Sequence, residues 1–247
     1  MEINMGNILE VKNLNVYYKA KSKSIFARPT RKQVLFDVSF DVNEGEIFGI
    51  VGESGCGKST LSKTILGMNP LYDGSIVHNS SKPQMIFQDP YSSLNPAWTI
   101  GRILSEPLLL SGMKDKAEVK NAVYDMLGRV GLDESYYGRY PSQLSGGQRQ
   151  RVSIATALIA RPKLVIADEP LSALDVTIQA QIMELLMELK RELGLTYIFI
   201  SHDIDVVYQL CDRIMVMKDG RVVETGETRG LFENPQNAYT RQLIDAG

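Results

Sequence analysis

The first fifty residues alternate between apolar and polar positions, a pattern typical of strands with one buried face. Leu9–Tyr18 and Val34–Val42 both follow it, and Glu46–Val51 comes after a turn at Asn43-Glu44-Gly45. Strands joined by short connections in this way pair antiparallel. We therefore expect the chain to begin with a sheet edge.

Lys19–Gln33 separates the first two predicted strands and differs from them in composition. It carries six basic residues, no acidic residue and one proline. We expect an exposed loop there. The charge fits either a solvated connection or contact with phosphate groups or a partner.

Beyond Val51 the pattern changes to helices that alternate with short apolar strands. Apolar residues at helical spacing over 101–140, such as Val119 and Val123, predict a helical insertion. The other predicted elements are a helix at Ser59–Leu66 closed by Gly67, a helix from about Gly147 to Ala160, a strand at Leu164–Ala167, a helix at Thr177–Leu193 stopped by Gly194, a strand at Thr196–Ile200, and a hairpin of Arg213–Lys218 and Arg221–Glu224 around Asp219-Gly220. Continuous apolar strands suit a parallel sheet covered on both faces. We predict an α/β fold with a mainly parallel sheet, an antiparallel β subdomain and a helical insertion.

Length and charge narrow the class of protein. A chain of 247 residues with 44% hydrophobic content can form one α/β domain with an insertion. The net charge of −2 and the pI near 5.8 provide no basic surface for wrapping DNA or RNA, so we expect no nucleic-acid partner.

The same sequence predicts a cytoplasmic protein. No apolar run is long enough to span a bilayer, and the first residues lack the charged and apolar regions of a secretion signal. Cys56 and Cys211 are the two cysteines, too few for a disulfide framework, which fits a reducing compartment.

Gly52–Ser59 fits the phosphate-loop pattern G-x-x-x-x-G-K-[ST]. In such a loop the backbone N–H groups converge on an anion, the lysine reaches the β- and γ-phosphates, and the hydroxyl binds Mg²⁺. A glycine-rich turn with an incidental lysine is the alternative, but a predicted strand before the loop and a helix after it favour phosphate binding. The predicted ATP-binding positions are Gly52, Ser54, Gly55, Cys56, Gly57, Lys58, Ser59 and Thr60.

Cys56 lies inside this loop, beside Lys58 and a helix N-terminus. Both neighbours favour a thiolate, so we expect Cys56 to be the more reactive of the two thiols wherever a reagent reaches it. The alternative is a small loop residue whose sulfur is inert.

Asp168 and Glu169 follow the apolar strand Leu164–Ala167 directly. The carboxyl ends of strands in open α/β sheets are where ligands bind. We expect Asp168 to orient Mg²⁺ through its water shell and Glu169 to act as the general base on the attacking water. A solvated strand end is the alternative for a carboxylate pair that stands alone, but here a phosphate loop accompanies it.

A second motif, Leu144-Ser145-Gly146-Gly147-Gln148, accompanies the phosphate loop. With it, the whole chain resembles the nucleotide-binding subunit of an ATP-binding cassette (ABC) transporter. The resemblance implies a P-loop NTPase fold, with a helical subdomain at about 90–160 inserted in a RecA-like core of one 1–247 domain. It also implies ATP and Mg²⁺ as ligands and ATP hydrolysis coupled to transport.

The resemblance assigns further site residues. Gln88 in Phe87-Gln88-Asp89-Pro90 resembles the Q-loop, which contacts Mg²⁺ and the water, so the implied metal positions are Ser59, Gln88 and Asp168. Asp175 ends a segment, Ser172–Asp175, that resembles the D-loop, and His202 resembles the switch histidine, a donor to the γ-phosphate. Tyr18 matches the aromatic residue that stacks on adenine, and Tyr17 is the alternative candidate. Either tyrosine could instead belong to the core of the strand. His78, the other histidine, is expected to be a surface residue in a polar turn.

In the family geometry, Ser145–Gln148 does not reach the nucleotide held by Lys58 of the same chain. The Ser145 side chain and the N–H groups of Gly146 and Gly147 cap a helix N-terminus, a suitable anion site. The resemblance implies that this site meets the γ-phosphate bound by a second ATPase subunit, so that ATP holds the two subunits together.

Two longer strings resemble the dipeptide, oligopeptide and nickel importer branch of the family, namely Gln88–Pro96 and Leu174–Gln181. The branch implies four kinds of partner: a second ATPase, commonly a paralogue, two membrane permeases and an extracytoplasmic solute-binding protein. The implied location is the cytoplasmic face of the membrane. The tail 234–240 also resembles the branch, although Asn237-Ala238 replaces the usual His-Pro.

Two departures leave the substrate open between peptides and a nickel or metallophore ligand: Gly74–Gln84 is short, and the sequence ends without the branch's cysteine-bearing extension. The other classes considered are a P-loop kinase or GTPase, a non-transport ABC ATPase of chromosomes or ribosomes, a degenerate binding cassette, and an importer of another solute. The segment Ser145–Gln148 disfavours the first of these, and the intact Glu169 and His202 disfavour a degenerate cassette.

Overall fold

The computed structural model of the chain describes residues 6–19, 31–80, 82–172 and 174–246. Its strands are β1 (Asn7–Lys19), β2 (Arg31–Asn43), β3 (Ile47–Val51), β4 (Tyr72–His78), β5 (Gln84–Ile86), β6 (Leu164–Asp168), β7 (Thr196–Ile200), β8 (Arg213–Lys218) and β9 (Arg221–Glu227). Its α-helices are α1 (Lys58–Ile65), α2 (Pro90–Ser93), α3 (Ile100–Leu110), α4 (Lys116–Arg129), α5 (Gly146–Leu158), α6 (Val176–Leu193), α7 (Ile204–Leu210), α8 (Thr228–Glu233) and α9 (Ala238–Asp245). Two short 3₁₀ helices lie at Glu134–Gly138 and Pro141–Gln143.

These elements form two compact units. The first consists of the described residues of Met1–Lys82 and Thr196–Gly247, and the second is Pro83–Leu195. The first unit therefore contains both ends of the described chain. The second is a single continuous segment that carries α2 to α6.

The first unit contains the predicted antiparallel strands and part of the parallel sheet. β1 pairs antiparallel with β2 on one side and with β4 on the other. β3 lies between β7 and β8 and runs parallel to both, and β8 turns back antiparallel into β9. All five residues of β3 and of β7 are buried, as expected for strands with continuous apolar sequence.

The turn between β8 and β9 connects three parts of the first unit. Asp219 and Gly220 both have positive φ, 49° and 75°, as the type I′ turn of a two-residue hairpin requires, so the predicted hairpin is confirmed. The Gly220 N–H donates to the Cys56 carbonyl at 2.9 Å, and the Gly220 carbonyl accepts from the Phe36 N–H at 2.9 Å. The turn thus hydrogen-bonds both to β2 and to the segment before α1.

The second unit holds the predicted helical insertion. Val119, Val123 and Met126 on α4, with Val130 just after it, are buried, which confirms the helical spacing. α3 packs on α4 and on the 3₁₀ helix Glu134–Gly138, while α5 packs on β5 and α6. β5 pairs parallel with β6, whose residues are all buried.

Two sequence expectations are wrong in detail, and one strand was not predicted. Lys19 and Arg31 to Gln33, the ends of the proposed exposed loop, are strand residues, because Tyr17 pairs with Gln33 and Lys19 with Arg31 in the β1–β2 ladder. Residues 20–30 lie outside the described part. β4 was not predicted, since its residues are exposed or half-buried and pairing with β1, not apolar alternation, defines it.

The expected position of His78 is also wrong. It is the last residue of β4 and not part of a polar turn, and its Nε2 lies 3.1 Å from the Ile65 carbonyl oxygen. The side chain is half-buried against the end of α1.

We expect Gly220→Ala to destabilise the protein more than Gly45→Ala. Both positions have positive φ, 75° and 81°, which costs an L-residue about 1–2 kcal/mol. A Cβ at Gly220 would lie 2.0 Å from the Val34 carbonyl oxygen, whereas a Cβ at Gly45 meets nothing within 4 Å. Overpacking of this kind adds about 1–3 kcal/mol. Urea unfolding of both variants measures the difference, and equal losses would contradict the close approach.

Candidate nucleotide site

The phosphate loop follows β3 and leads directly into α1. Gly57 is the N-cap of α1, and Lys58 is its first residue. Glu53, Ser54 and Gly55 are exposed at the tip, while Cys56 to Lys58 are buried. The loop thus presents an exposed run of backbone at the N-terminus of a helix, where an anion is favoured.

Lys58 is 5% exposed, and its side chain contacts the start of the same loop. Its Nζ donates to the Gly52 carbonyl at 2.7 Å and to the Glu53 carbonyl at 3.1 Å. Gly52 has a φ of 149°, and a Cβ there would lie 2.2 Å from the Met217 carbonyl oxygen. Only glycine fits this position, so the first residue of the motif is explained by the approach of β8.

The residues of the loop fit a polyphosphate. The two hydrogen bonds of the Lys58 ammonium within the described residues go to neutral carbonyls, so the buried positive charge is only partly compensated. An anion beside it would complete the compensation. The adjacent Ser59 hydroxyl is exposed at the start of α1.

Tyr18 and Tyr17, the two candidates for stacking on adenine, have different neighbours. The Tyr18 hydroxyl donates to Thr60 Oγ1 at 3.4 Å, and the Tyr18 side chain is 40% exposed. Tyr17 instead hydrogen-bonds to Asp73, which raises the pKa of Tyr17. The hydrogen bond therefore brings Tyr18 to Thr60, directly after the phosphate loop, whereas Tyr17 contacts Asp73.

The charge expected on Cys56 needs correction. Cys56 is 6% exposed, and its burial raises the pKa of the thiol even though the Lys58 ammonium acts in the opposite direction. The Lys58 ammonium favours the thiolate as the sequence predicts, but burial outweighs it, and the greater reactivity of Cys56 over Cys211 stays a prediction. Burial also raises the pKa of Cys211, well above the usual range.

His202 lies in the first unit, two residues beyond the end of the buried strand β7. Its side chain is exposed. The next residue, Asp203, caps α7 by accepting from the Val206 N–H at 3.1 Å, and Ser201 Oγ accepts from the Asp203 N–H at 3.0 Å. Side-chain hydrogen bonds of Ser201 and Asp203 thus fix the backbone on both sides of the histidine.

In the second unit, Asp168 is the last residue of β6 and is 7% exposed. Glu169 follows with a φ of 47°, in the left-handed region that non-glycine residues rarely occupy. Gln88 Nε2 donates to Glu169 Oε2 at 2.9 Å across 81 residues of sequence. The predicted Q-loop and the predicted base are therefore in direct contact.

Hydrogen bonds also hold the segment after Glu169. The Ser172 N–H and Oγ both donate to the Glu169 carbonyl, at 3.3 and 3.1 Å. Gln150 donates to the Pro170 carbonyl at 2.8 Å. Asp175 caps α6 by accepting from the Ile178 N–H at 3.0 Å, while Ala173 of the predicted D-loop lies outside the described residues.

Ser145 caps α5, as the sequence predicts. Its Oγ accepts from the Gln148 N–H at 3.3 Å, and Gln148 Oε1 accepts from the Ser145 N–H at 2.9 Å, which completes a capping box. Gln148 Nε2 also donates to the Tyr136 hydroxyl at 2.8 Å. Gly146 and Gly147 form the first turn of the helix.

Within the described residues, no three His, Cys, Asp or Glu side chains converge in a way that could hold a metal ion. The predicted Mg²⁺ positions are instead the Ser59 hydroxyl, the Gln88 amide and the Asp168 carboxylate. These offer oxygen ligands, which Mg²⁺ prefers, and Mg²⁺ keeps several waters in such sites. Each of the three side chains, taken by itself, offers an oxygen of the kind that the ion binds.

The sequence did not predict one contact with the phosphate loop. The Glu53 N–H donates to the Tyr239 hydroxyl at 3.1 Å, across 186 residues. The only sequence signal was the tail 234–240, which resembles the importer branch without an assigned role. Within the described residues, no helix is long and apolar enough to cross a membrane.

Comparison with known proteins identifies the family. The sequence pattern of the ABC transporter family matches residues 35–172. The dipeptide transport ATP-binding protein DppF of Haemophilus influenzae is 42% identical over 254 residues, covering 97% of this chain and 77% of DppF. The oligopeptide transport ATP-binding protein OppF of Bacillus subtilis is 44% identical over 256 residues, covering 97% of this chain and 82% of OppF. The chain belongs to the ABC transporter family.

A solved structure gives the same result for the fold. The dimeric post-hydrolysis structure of the ATP-binding cassette MJ0796, bound to ADP and Pi, matches with a TM-score of 0.76 and 30% identity. The match covers 90% of this chain and 99% of that one. The predicted fold class, an ABC ATPase with a mainly parallel sheet, an antiparallel β region and a helical region, is confirmed.

We expect a thiol reagent to label Cys56 slowly at neutral pH in the folded protein. Its raised pKa leaves a smaller thiolate fraction than in an unfolded chain, and the thiolate is the nucleophile. Labelling should accelerate as the pH rises, and Mg-ATP should slow it further. Peptide mapping after maleimide treatment, with urea-unfolded protein as the control, measures the rates. Equal rates in folded and unfolded protein would contradict the burial.

Proposed function

We propose that the chain is the ATP-hydrolysing subunit of an importer for dipeptides or oligopeptides. The observation that carries the proposal is the identity above 40%, over 97% of the chain, to two ATP-binding proteins of such importers. The phosphate loop and the carboxylates after β6 are the parts of the chain suited to ATP hydrolysis. Peptide specificity belongs to the partner proteins.

The first unit supplies the proposed nucleotide contacts. Lys58 neutralises charge on the β- and γ-phosphates, and the N–H groups of Ser54 and Gly55 at the exposed loop tip bind phosphate oxygens. Thr60 binds a neighbouring phosphate. Tyr18 stacks on adenine, and its hydrogen bond to Thr60 supports that placement. His202 donates to the γ-phosphate.

The second unit supplies the proposed hydrolytic groups. Glu169 accepts a proton from the attacking water, and the hydrogen bond from Gln88 fixes one of its carboxylate oxygens. Gln88 and Asp168 are the proposed Mg²⁺ positions of this unit, and Ser59 of the first unit is the third. When bound, Mg²⁺ would neutralise charge that develops on the phosphate oxygens.

Assembly completes the proposal. Ser145 to Gln148 on one subunit face the γ-phosphate bound by a second, paralogous ATPase subunit, while Asp175 lies at the same interface. The two ATPases bind two permeases at the cytoplasmic face of the membrane, and a solute-binding protein delivers the peptide from outside. The absence of a membrane-spanning helix within the described residues is compatible with a peripheral subunit.

We expect Glu169→Gln to bind ATP normally but to lose about 10²–10⁴-fold in turnover, because the base is removed and the shape is kept. A Gln side chain can still accept the hydrogen bond from Gln88. Glu184→Gln, the same change at an exposed position of α6, is the matched control. Steady-state hydrolysis with the partner ATPase present measures turnover, and near-normal hydrolysis by Glu169→Gln would exclude this base.

Transport itself is tested in the organism that encodes the chain. Deletion should abolish uptake of a radiolabelled dipeptide, and the wild-type chain, but not Glu169→Gln, should restore it. Normal peptide uptake in the deletion strain would overturn the peptide assignment. Loss of nickel uptake in the same strain would assign the metal-importer alternative instead.

We expect the chain alone to be mainly monomeric and a poor ATPase. Each bound nucleotide lacks the contacts to its γ-phosphate that the Ser145–Gln148 segment of another subunit provides. In the Glu169→Gln background, Mg-ATP should promote association because the γ-phosphate persists. Light scattering recorded alongside turnover measures both properties. Full ATPase activity from a strictly monomeric sample would contradict the shared site.

A further inference from the structure

The segment that carries α9 makes a hydrogen bond to the phosphate loop. Tyr239 is the second residue of α9, and its hydroxyl oxygen accepts from the Glu53 N–H at 3.1 Å. Glu53 is the second residue of the loop motif. A residue close to the C-terminal end of this chain thus touches the backbone of the proposed nucleotide site.

Several contacts fix the position of the Tyr239 side chain. The residue is 7% exposed, and Lys218 Nζ lies 4.4 Å from the centroid of its ring. Asn237 Oδ1 accepts from the Tyr239 N–H at 2.8 Å and caps α9. Burial raises the pKa of the Tyr239 phenol above its ordinary value.

The segment before α9 is anchored in turn to β9. The Glu224 carboxylate accepts from the Gln236 N–H at 2.8 Å and from the Asn237 N–H at 3.1 Å. These charge-assisted bonds fix the start of α9, and therefore the direction from which Tyr239 approaches the loop.

Glu53 connects this anchor to Lys58. Its N–H is held by Tyr239, and its carbonyl accepts from Lys58 Nζ at 3.1 Å and from the Cys56 N–H at 3.2 Å. A rotation of the Gly52–Glu53 backbone would turn away the carbonyls that hold the ammonium. The Tyr239 hydroxyl opposes that rotation from the other side of the chain.

We propose that Tyr239 is a positioning residue for the phosphate loop, which fixes the Glu53 backbone so that Lys58 is held ready for the phosphates. The proposal rests on the nucleotide-binding function proposed above. Tyr239 acts through Glu53 and Lys58 and touches no reacting atom. The tail thereby sets the affinity for nucleotide, and turnover at saturating ATP depends on it less.

The test is Tyr239→Phe, which removes the hydroxyl and keeps the ring. The matched control is Tyr197→Phe, because the Tyr197 hydroxyl is buried without a hydrogen-bond partner in the described structure. Titration calorimetry with Mg-ADP measures the affinity of each variant. Loss of one hydrogen bond should raise the Kd of Tyr239→Phe about 3- to 10-fold, with Tyr197→Phe within about twofold of the wild type.

Lys58→Ala separates this inference from the proposed function. If Lys58→Ala binds Mg-ADP as tightly as the wild type, the proposed nucleotide site is wrong and the inference falls with it. If Lys58→Ala loses binding while Tyr239→Phe retains wild-type affinity, the inference alone is overturned. A Tyr197→Phe variant as weak as Tyr239→Phe would also overturn it, since any buried hydroxyl would then have the same effect.

A second measurement does not depend on the stability of a variant. In the wild-type chain without nucleotide, the Glu53 amide should exchange with solvent more slowly than the Ser54 amide, which makes no hydrogen bond within the described residues. In Tyr239→Phe the Glu53 amide should lose this protection while the melting temperature stays close to that of Tyr197→Phe. Fast exchange of Glu53 in the wild type would refute the contact.

Discussion

The buried ammonium of Lys58 is the constraint on which the phosphate loop depends. Removing a cation from water costs several kcal/mol unless partners compensate for it. Here the carbonyls of Gly52 and Glu53, at 2.7 and 3.1 Å, provide part of the compensation. Both must turn inward toward Lys58, so the backbone curls around the ammonium and the exposed tip of the loop is left to face solvent. The shape of the site follows from the burial of one charge.

Neighbouring segments hold that shape through backbone contacts. The β8–β9 turn donates from the Gly220 N–H to the Cys56 carbonyl, and a Cβ at Gly52 would strike the Met217 carbonyl. Such contacts require glycine or a particular turn but few specific side chains. The hairpin therefore helps to keep the loop in place, and its own turn is bonded to β2 by the Phe36 N–H.

The elements that could be predicted from the sequence are those whose determining contacts are local. The apolar strands β3, β6 and β7, the Ser145 cap and the Asp219-Gly220 turn are each specified by adjacent residues. β4 and the true ends of β1 and β2 depend on pairing with strands distant in sequence, and such pairing leaves little local pattern.

The candidate site divides in the same way. Gly52–Ser59 is a continuous motif, whereas the Tyr239–Glu53 contact joins residues 186 positions apart and could not be predicted. The net direction of the Cys56 pKa could not be predicted for a related reason. Its sequence neighbours, Lys58 and a helix N-terminus, favour a thiolate, but its burial depends on packing by the rest of the fold. Charge near a residue can be inferred from sequence, whereas its desolvation requires the structure.

Ser145 shows how one side chain can both end a helix and serve a ligand. In capping α5, its Oγ accepts from the Gln148 N–H and uses only a lone pair, so the hydroxyl proton remains available for donation. The capping box also uses the backbone N–H of Gln148, which donates to Ser145 Oγ. The first-turn N–H groups of Gly146 and Gly147 have no partner within an α-helix. The cap therefore orients the serine and leaves three donors at the helix start, one hydroxyl and two amides. An acceptor-rich, negatively charged group such as a γ-phosphate matches that arrangement, which explains why a serine followed by two glycines suits the proposed interface better than a helix start capped by a carboxylate would.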